Sequence, residues 1–139
     1  MMTKKLKVEI WSDFTCVHCY IAKRRFEHAL SQFNHKDDIE IIWKSFELAP
    51  SLSVDENKSM YEFLAEYNRA SLEQVKVICS QITNTAKGVG LIYNFEIAKP
   101  ANSFRAHRLS HLAQHFGLQN KAKEVLFRAH FTQGENIDD

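Results

Sequence analysis

The chain lacks the features that would assign it to an extreme class. No charge of one sign dominates: 18 Lys and Arg against 17 Asp and Glu leave a formal net charge of +1. That balance gives no electrostatic case for a nucleic-acid partner. The clusters Lys4-Lys5-Leu6-Lys7 and Lys23-Arg24-Arg25 read as solvated faces that at most steer an anionic partner. No stretch has the apolar length needed to span a bilayer, so no membrane partner is expected. The start, Met1-Met2-Thr3, runs into a strand-like pattern without an apolar signal core or small-residue cleavage site. The expectation is a cytoplasmic protein. Internal repeats and low-complexity segments are missing too. Of the three cysteines, Cys16 and Cys19 form one Cys-x-x-Cys pair; there is no second, and Cys79 stands alone.

What remains is ordinary for a soluble globular protein. The 139 residues suit one domain, or a small domain carrying an insertion, with 45% hydrophobic and 25% charged residues.

The stretch Phe14-Thr15-Cys16-Val17-His18-Cys19-Tyr20-Ile21 sits where a strand pattern gives way to a helical one. Before it, Leu6, Val8 and Ile10 alternate; after it, Ala22, Phe26, Ala29, Leu30 and Phe33 recur at helical spacing. This predicts Cys16 in the first turn of a helix and Cys19 one turn on. Free N–H groups and the positive end of the helix dipole favour an anion there. A thiolate at Cys16 is therefore expected to form more readily than the usual value of roughly 8.5 allows. His18, between the cysteines, adds a donor or a positive charge, and Cys19 is placed to attack a mixed disulfide at Cys16. The predicted chemistry is thiol–disulfide exchange, with no cofactor. Two other readings stay open: half of a structural zinc site, which needs two more ligands, and inert thiols. In a reducing compartment a static crosslink is the weakest reading of such a pair. Trp11, Phe14 and Tyr20 flank the motif and could line an apolar substrate groove, although core packing accounts for them as well.

Residues near 5–12 form the first expected strand. A helix follows to about Phe33, then the polar turn Asn34–Asp38. Ile39, Ile41, Ile42, Trp43 and Phe46 form a second strand, closed by Pro50. Strand, helix and strand make a βαβ unit with a parallel pair. Everything after Ser51 reads as helical. Met60, Phe63, Leu64 and Tyr67 mark one helix. Ser71 with Gln74 is a capping box for a second, with Leu72, Val75, Ile78, Ile82 and Ala86 as its buried stripe. A third follows Pro100 and Asn102, its apolar stripe Leu109, Leu112, Ala113 and Phe116; Ala122, Val125, Leu126 and Ala129 define the last, which stops near Gly134. The expected division is 1–50, half of an α/β domain, and 51–139, a helical domain. A two-stranded parallel sheet is too small to stand alone, so the chain reads as part of a longer protein or as one completed by another chain.

Four segments in series now carry a resemblance: Cys16-Val17-His18-Cys19-Tyr20-Ile21, Phe46-Glu47-Leu48-Ala49-Pro50, Asn102-Ser103-Phe104-Arg105-Ala106-His107-Arg108-Leu109, and Leu126-Phe127-Arg128-Ala129-His130-Phe131-Thr132-Gln133-Gly134. In that order they resemble the FrnE-like branch of the DsbA family of thioredoxin-fold oxidoreductases, along essentially the whole chain. The resemblance implies a thioredoxin-like βαβ unit followed by an inserted all-helical domain, with Cys16 as nucleophile and Cys19 as resolving cysteine. Protein thiols, disulfides or small thiols are the implied substrates. Three departures stand out. Val17 takes the place of the proline usual after the first cysteine, which is expected to leave the turn looser. His18 stands where Trp is common in the branch. The family continues past the last helix into two strands, a helix and a cis-proline loop facing the disulfide; Pro50 and Pro100 do not occupy that loop. The expectation is a truncated product, a fragment, a homodimer or a strand-exchanged protomer.

The related kappa-class glutathione transferases and hydroxychromene-carboxylate isomerases resemble the chain less, because they place Ser at the first catalytic position. A metal-binding module, or a non-catalytic fragment whose sheet edge docks on a partner, is a further alternative. His107, His111 and His115 recur every four residues, a spacing compatible with metal ligation but without an accompanying acid; a polar, partly exposed stripe is the expectation. His107 is the member expected to face the active-site groove. Cys79 is expected to pack in the core.

Overall fold

The computed structural model describes residues 4–139; the reading placed on Met1-Met2-Thr3 lies outside the described residues. Strand β1 (Leu6–Ser12) leads into helix α1 (Val17–Ser31), and a short 3-10 turn (Lys36–Asp38) feeds strand β2 (Ile39–Ser45). The two strands pair in parallel, from Leu6 opposite Ile39 to Ser12 opposite Ser45, and form the two-stranded sheet of the described residues. Alternating β-branched and aromatic positions favour the strands, while α1 lies along them as the crossover that a parallel pair requires.

Four helices follow: α2 (Met60–Asn68), α3 (Leu72–Lys87), α4 (Phe104–Gln114) and α5 (Gln119–Phe131). Ser71 and Gln74 make the expected reciprocal cap at the start of α3. Ser59 and Glu62 make the same cap on α2. Each ties two otherwise unpaired backbone N–H groups. Helix α2 packs against α3, α4 against α5, and α1 against α3. None of these helices is long and apolar enough to cross a membrane.

One core cluster runs from the βαβ unit into the helices. Phe14, Tyr20 and Ile21 join Phe127 and Phe131 of α5, Val75, Cys79 and Ala86 of α3, and Tyr93 and Phe95 of the connecting segment. Tyr20 stacks on Phe127 with ring centroids 4.9 Å apart, and Tyr93 stacks on Phe131 at 4.6 Å.

Two expected stripes are corrected. On α3, Val75, Cys79 and Ala86 are buried, whereas Leu72 and Ile78 are exposed. The inward face therefore follows the Val75–Cys79 spacing of four, and Cys79 packs as a core residue. On α4 the buried face carries Ala106, His107 and Ser110, while Leu109 and Leu112 face outward, as does Phe116 just beyond the helix at 71% exposure. Small side chains let α4 lie close to its neighbours, and His107 finds a buried partner that helical spacing alone does not reveal. The segment between α3 and α4, without regular structure, buries Leu91, Tyr93, Phe95, Ala98 and Ala101. It is anchored on α5 by the N–H of Asn94, which donates to the Phe131 carbonyl at 2.7 Å, and by its side-chain amide, which donates to the Thr132 carbonyl at 2.7 Å.

Candidate active site

The loop between β1 and α1 turns at Asp13–Cys16. The Cys16 N–H donates to the Asp13 carbonyl at 3.3 Å, and the Cys19 N–H donates to the Cys16 carbonyl at 3.1 Å. Cys16 is the N-cap of α1 with extended backbone, one position ahead of the expected first turn, and Cys19 lies within the first turn. Both are free and half-buried. Although Val17 replaces a helix-starting proline, the turn is held from outside: the Tyr93 hydroxyl donates to the Val17 carbonyl at 2.8 Å.

The thiols share one proton. The Cys16 thiol, acting as donor, brings Cys19 down to about 6 against the opposing effect of burial; the Asp13 backbone and the Ser12 hydroxyl assist. Cys16 is pushed up, first by that same bond and then by burial, although the N–H groups of His18 and Cys19 pull it the other way. The helix-terminus N–H groups expected to favour a thiolate at Cys16 do act on it, and the easily lost first proton belongs to the hydrogen-bonded pair rather than to either sulfur alone. The pair gives up its first proton easily and holds the second.

Beneath the pair lies a buried polar group. Asp13 accepts from Nε2 of His107 at 3.0 Å on one oxygen, and from the Leu48 N–H at 2.8 Å on the other. Burial alone raises the Asp13 carboxyl, but the bonds from His107, Leu48 and Ser103 together hold it below its ordinary value. Lys123 of α5 is 2% exposed. Its ammonium sits 4.5 Å from the Phe14 ring centroid and 4.6 Å from that of Trp43, a cation–π arrangement. Burial pushes Lys123 down to about 8, while the nearby Cys19 and Asp13 charges favour its protonated form. Further along α1, Glu124 accepts from the Tyr20 hydroxyl at 2.9 Å, from Lys23 at 2.9 Å and from Arg24, fastening α1 to α5.

A cavity of about 360 Å³ opens beside Cys16, walled mainly by apolar side chains of α2, α5 and the segment before α4. Thr15, Cys16 and His18 line one side of it, and Leu64, Phe131 and His130 stand among its other lining residues. Cys19 is not part of that lining. Burial drives His130 down to about 4, so it is neutral in ordinary buffers.

The sequence of residues 7–139 matches the DSBA-like thioredoxin domain. The chain belongs to that family. Its α/β fold, with five helices and a small sheet, is the DsbA-like thioredoxin fold. Among solved structures, the probable DsbA oxidoreductase SCO1869 from Streptomyces coelicolor is similar, with a TM-score of 0.84 and 32% identity; the likeness covers 96% of this chain and 56% of that one. Among curated proteins, the uncharacterized protein YwbO of Bacillus subtilis (strain 168) is 26% identical over 133 residues, covering 95% of this chain and 60% of YwbO. The DSBA-like chain thus spans little more than half the length of the relatives it matches.

Within this DSBA-like domain the expected residues separate into two groups. Cys16, His18 and Cys19 come together at the start of α1, with His18 exposed at the cavity. Phe14 and Tyr20 are fully packed in the core and stand apart from the cavity lining. His107 is buried against Asp13 and likewise stands apart from it. His111 shares a hydrogen bond with the Ser45 hydroxyl at 2.7 Å, and His115 is exposed. Among the described residues no group of three or more His, Cys, Asp or Glu side chains is placed to hold a metal ion. Asp13, Lys123 and His130 escaped the sequence reading as site residues. The available signals were Asp13 just before the motif and His130 inside a family-like segment; Lys123 had none, since lysine on an amphipathic helix is ordinarily exposed.

Proposed function

We propose that the chain holds the redox centre of a thiol–disulfide oxidoreductase acting on protein or small thiols, with Cys16 as nucleophile and Cys19 as resolving thiol. The observation that carries this reading is the arrangement at the start of α1: Cys16, the N-cap, borders the cavity, whereas Cys19, in the first turn, stands apart from the cavity lining and shares a hydrogen bond with Cys16. The family, and the likeness to a probable DsbA oxidoreductase, support the reaction class. The resemblance carried by the four motifs favours the FrnE-like branch within the family, and the activity is proposed for a cytoplasmic protein.

The exchange balances without a cofactor. With the pair oxidised, a substrate thiolate attacks the Cys16 sulfur, the Cys16–Cys19 bond breaks, and Cys19 leaves as thiolate. A second substrate thiolate then attacks the substrate sulfur of the mixed disulfide. Substrate disulfide is released, Cys16 departs as thiolate, and the Cys16–Cys19 pair has taken up two electrons. The reverse sequence reduces a substrate disulfide. In the first direction a low value at Cys19 makes it a good leaving group. In the mixed disulfide Cys19 retains hydrogen bonds from the Asp13 backbone and the Ser12 hydroxyl, which favour its thiolate against the opposing effect of burial.

The test is equilibration of the protein with mixtures of reduced and oxidised glutathione, with each cysteine mapped by mass spectrometry. The expected products are a reversible Cys16–Cys19 disulfide in the native chain and a trapped glutathione adduct on Cys16 in Cys19→Ser. Adducts falling equally on Cys19 in Cys16→Ser would refute the assigned roles. A pair that stays reduced under strongly oxidising mixtures would refute the activity itself.

A further inference from the structure

His130 is 1% exposed, and its Nδ1 is a buried side-chain polar atom without a hydrogen-bond partner. A buried polar atom left unmatched is unfavourable, and native structures rarely retain one without a use or a ligand for it. His130 also lines the cavity beside Cys16. That cavity is otherwise apolar over most of its wall, with Leu64 and Phe131 among its lining residues, and its volume of about 360 Å³ falls in the range of small-ligand sites. An apolar pocket and a reactive sulfur therefore share an enclosure with the side chain of His130, whose Nδ1 lacks a partner.

We propose that this cavity is a specificity pocket for thiol or disulfide substrates that carry an aromatic group within a few bonds of the reacting sulfur, and that His130 Nδ1 receives the hydrogen-bonding group of that ring. The proposal deepens the oxidoreductase reading and rests on it. The sulfur meets Cys16 at the redox side of the pocket, the ring displaces water from the apolar wall, and a hydroxyl on the ring pairs with Nδ1. Because the imidazole is neutral, burial leaves it one donor and one acceptor nitrogen, so Nδ1 can be matched by a phenol in either tautomer. A polar thiol of similar reactivity gains neither contact. The pocket is thus a filter placed upstream of the exchange step.

The test compares three symmetrical disulfides on Cys19→Ser: bis(2-hydroxyethyl), dibenzyl and bis(4-hydroxybenzyl) disulfide. Mixed-disulfide equilibria at Cys16 are read by mass spectrometry and corrected for the intrinsic stability of each thiol against free cysteine. The expected order is hydroxybenzyl over benzyl over hydroxyethyl, with about tenfold between the extremes. His130→Phe should remove the hydroxybenzyl-over-benzyl preference and keep the benzyl-over-hydroxyethyl one. Leu64→Trp, which fills the pocket, should remove both. Nitrogen-15 NMR of His130 in the native side-chain context gives a second readout that needs no substitution there: its Nδ1 resonance should move on loading with the hydroxybenzyl group and much less with benzyl. Equal equilibria for all three disulfides, or an Nδ1 signal indifferent to the hydroxyl because water alone matches it, would overturn the pocket while leaving the oxidoreductase reading intact. Failure of every disulfide to label Cys16 would overturn both.

Discussion

Nε2 of His107 donates to the Asp13 carboxylate across 3.0 Å, joining helix α4 to the exit of strand β1 three residues before Cys16. The bond is buried on both sides. It makes the active-site loop depend on a helix far away in the chain, because Asp13 also holds the Leu48 N–H and thereby the segment after β2. Removing one partner leaves a buried polar group unmatched. His107→Ala should lower unfolding stability by roughly 3 kcal/mol in urea titrations, with His107→Gln recovering part of it. The Asp13 carboxyl is held below its ordinary value, so its contribution is present above the unfolded value of about 3.9 and is lost as pH falls through the folded one. The gap between native protein and Asp13→Asn should therefore narrow in acid. A constant gap would contradict the assignment.

Lys123 gives a pH dependence of its own. Burial brings it to about 8, against about 10.4 in the unfolded chain. Between these values the unfolded chain binds the extra proton, so stability from this group rises with pH and is complete above the unfolded value. It is lost as pH falls through about 8. Relative to Lys123→Met, the native protein should gain stability on the order of 3 kcal/mol between those limits. Denaturant midpoints of both proteins across that range provide the check, and parallel curves would contradict a neutralisable buried ammonium.

Gly134 turns the chain after α5 with φ at 68°. A Cβ built there would lie 2.6 Å from the Ile97 carbonyl oxygen, so both conformation and space require glycine. Gly134→Ala should cost roughly 2 kcal/mol in thermal or denaturant unfolding. A neutral substitution would show that this end of α5 rearranges freely around the segment before α4.

How far the sequence disclosed all this follows from the range of each interaction. The strands, α1 and the Ser71 cap are local: alternation, helical spacing and a reciprocal bond over three residues leave their mark in a short window. Cys16 and Cys19 are local as well, which is why the pair was visible at once. The inward face of α4 was not, because the larger apolar Leu109 and Leu112 point outward while Ala106, His107 and Ser110 are buried. The Asp13–His107 bond spans 94 positions, and no periodicity marks it. Lys123 and His130 are polar residues deep inside the fold, against the usual tendency of such side chains. Tyr93 and Phe95 lie in an irregular segment where a helical reading was expected, and its order comes from contacts with α5.

The most direct test of the central claim is alkylation of the fully reduced chain with iodoacetamide across pH, with Cys16, Cys19 and Cys79 followed separately by mass spectrometry. The shared proton predicts that reactivity of the Cys16–Cys19 pair rises around a midpoint of about 6. Cys16→Ala should raise the Cys19 midpoint by about one unit or more, since the main donor is gone. Cys79, pushed up by burial, should stay slow throughout. A pair that titrates at the ordinary thiol value of roughly 8.5, unmoved by Cys16→Ala, would contradict the assembled redox site.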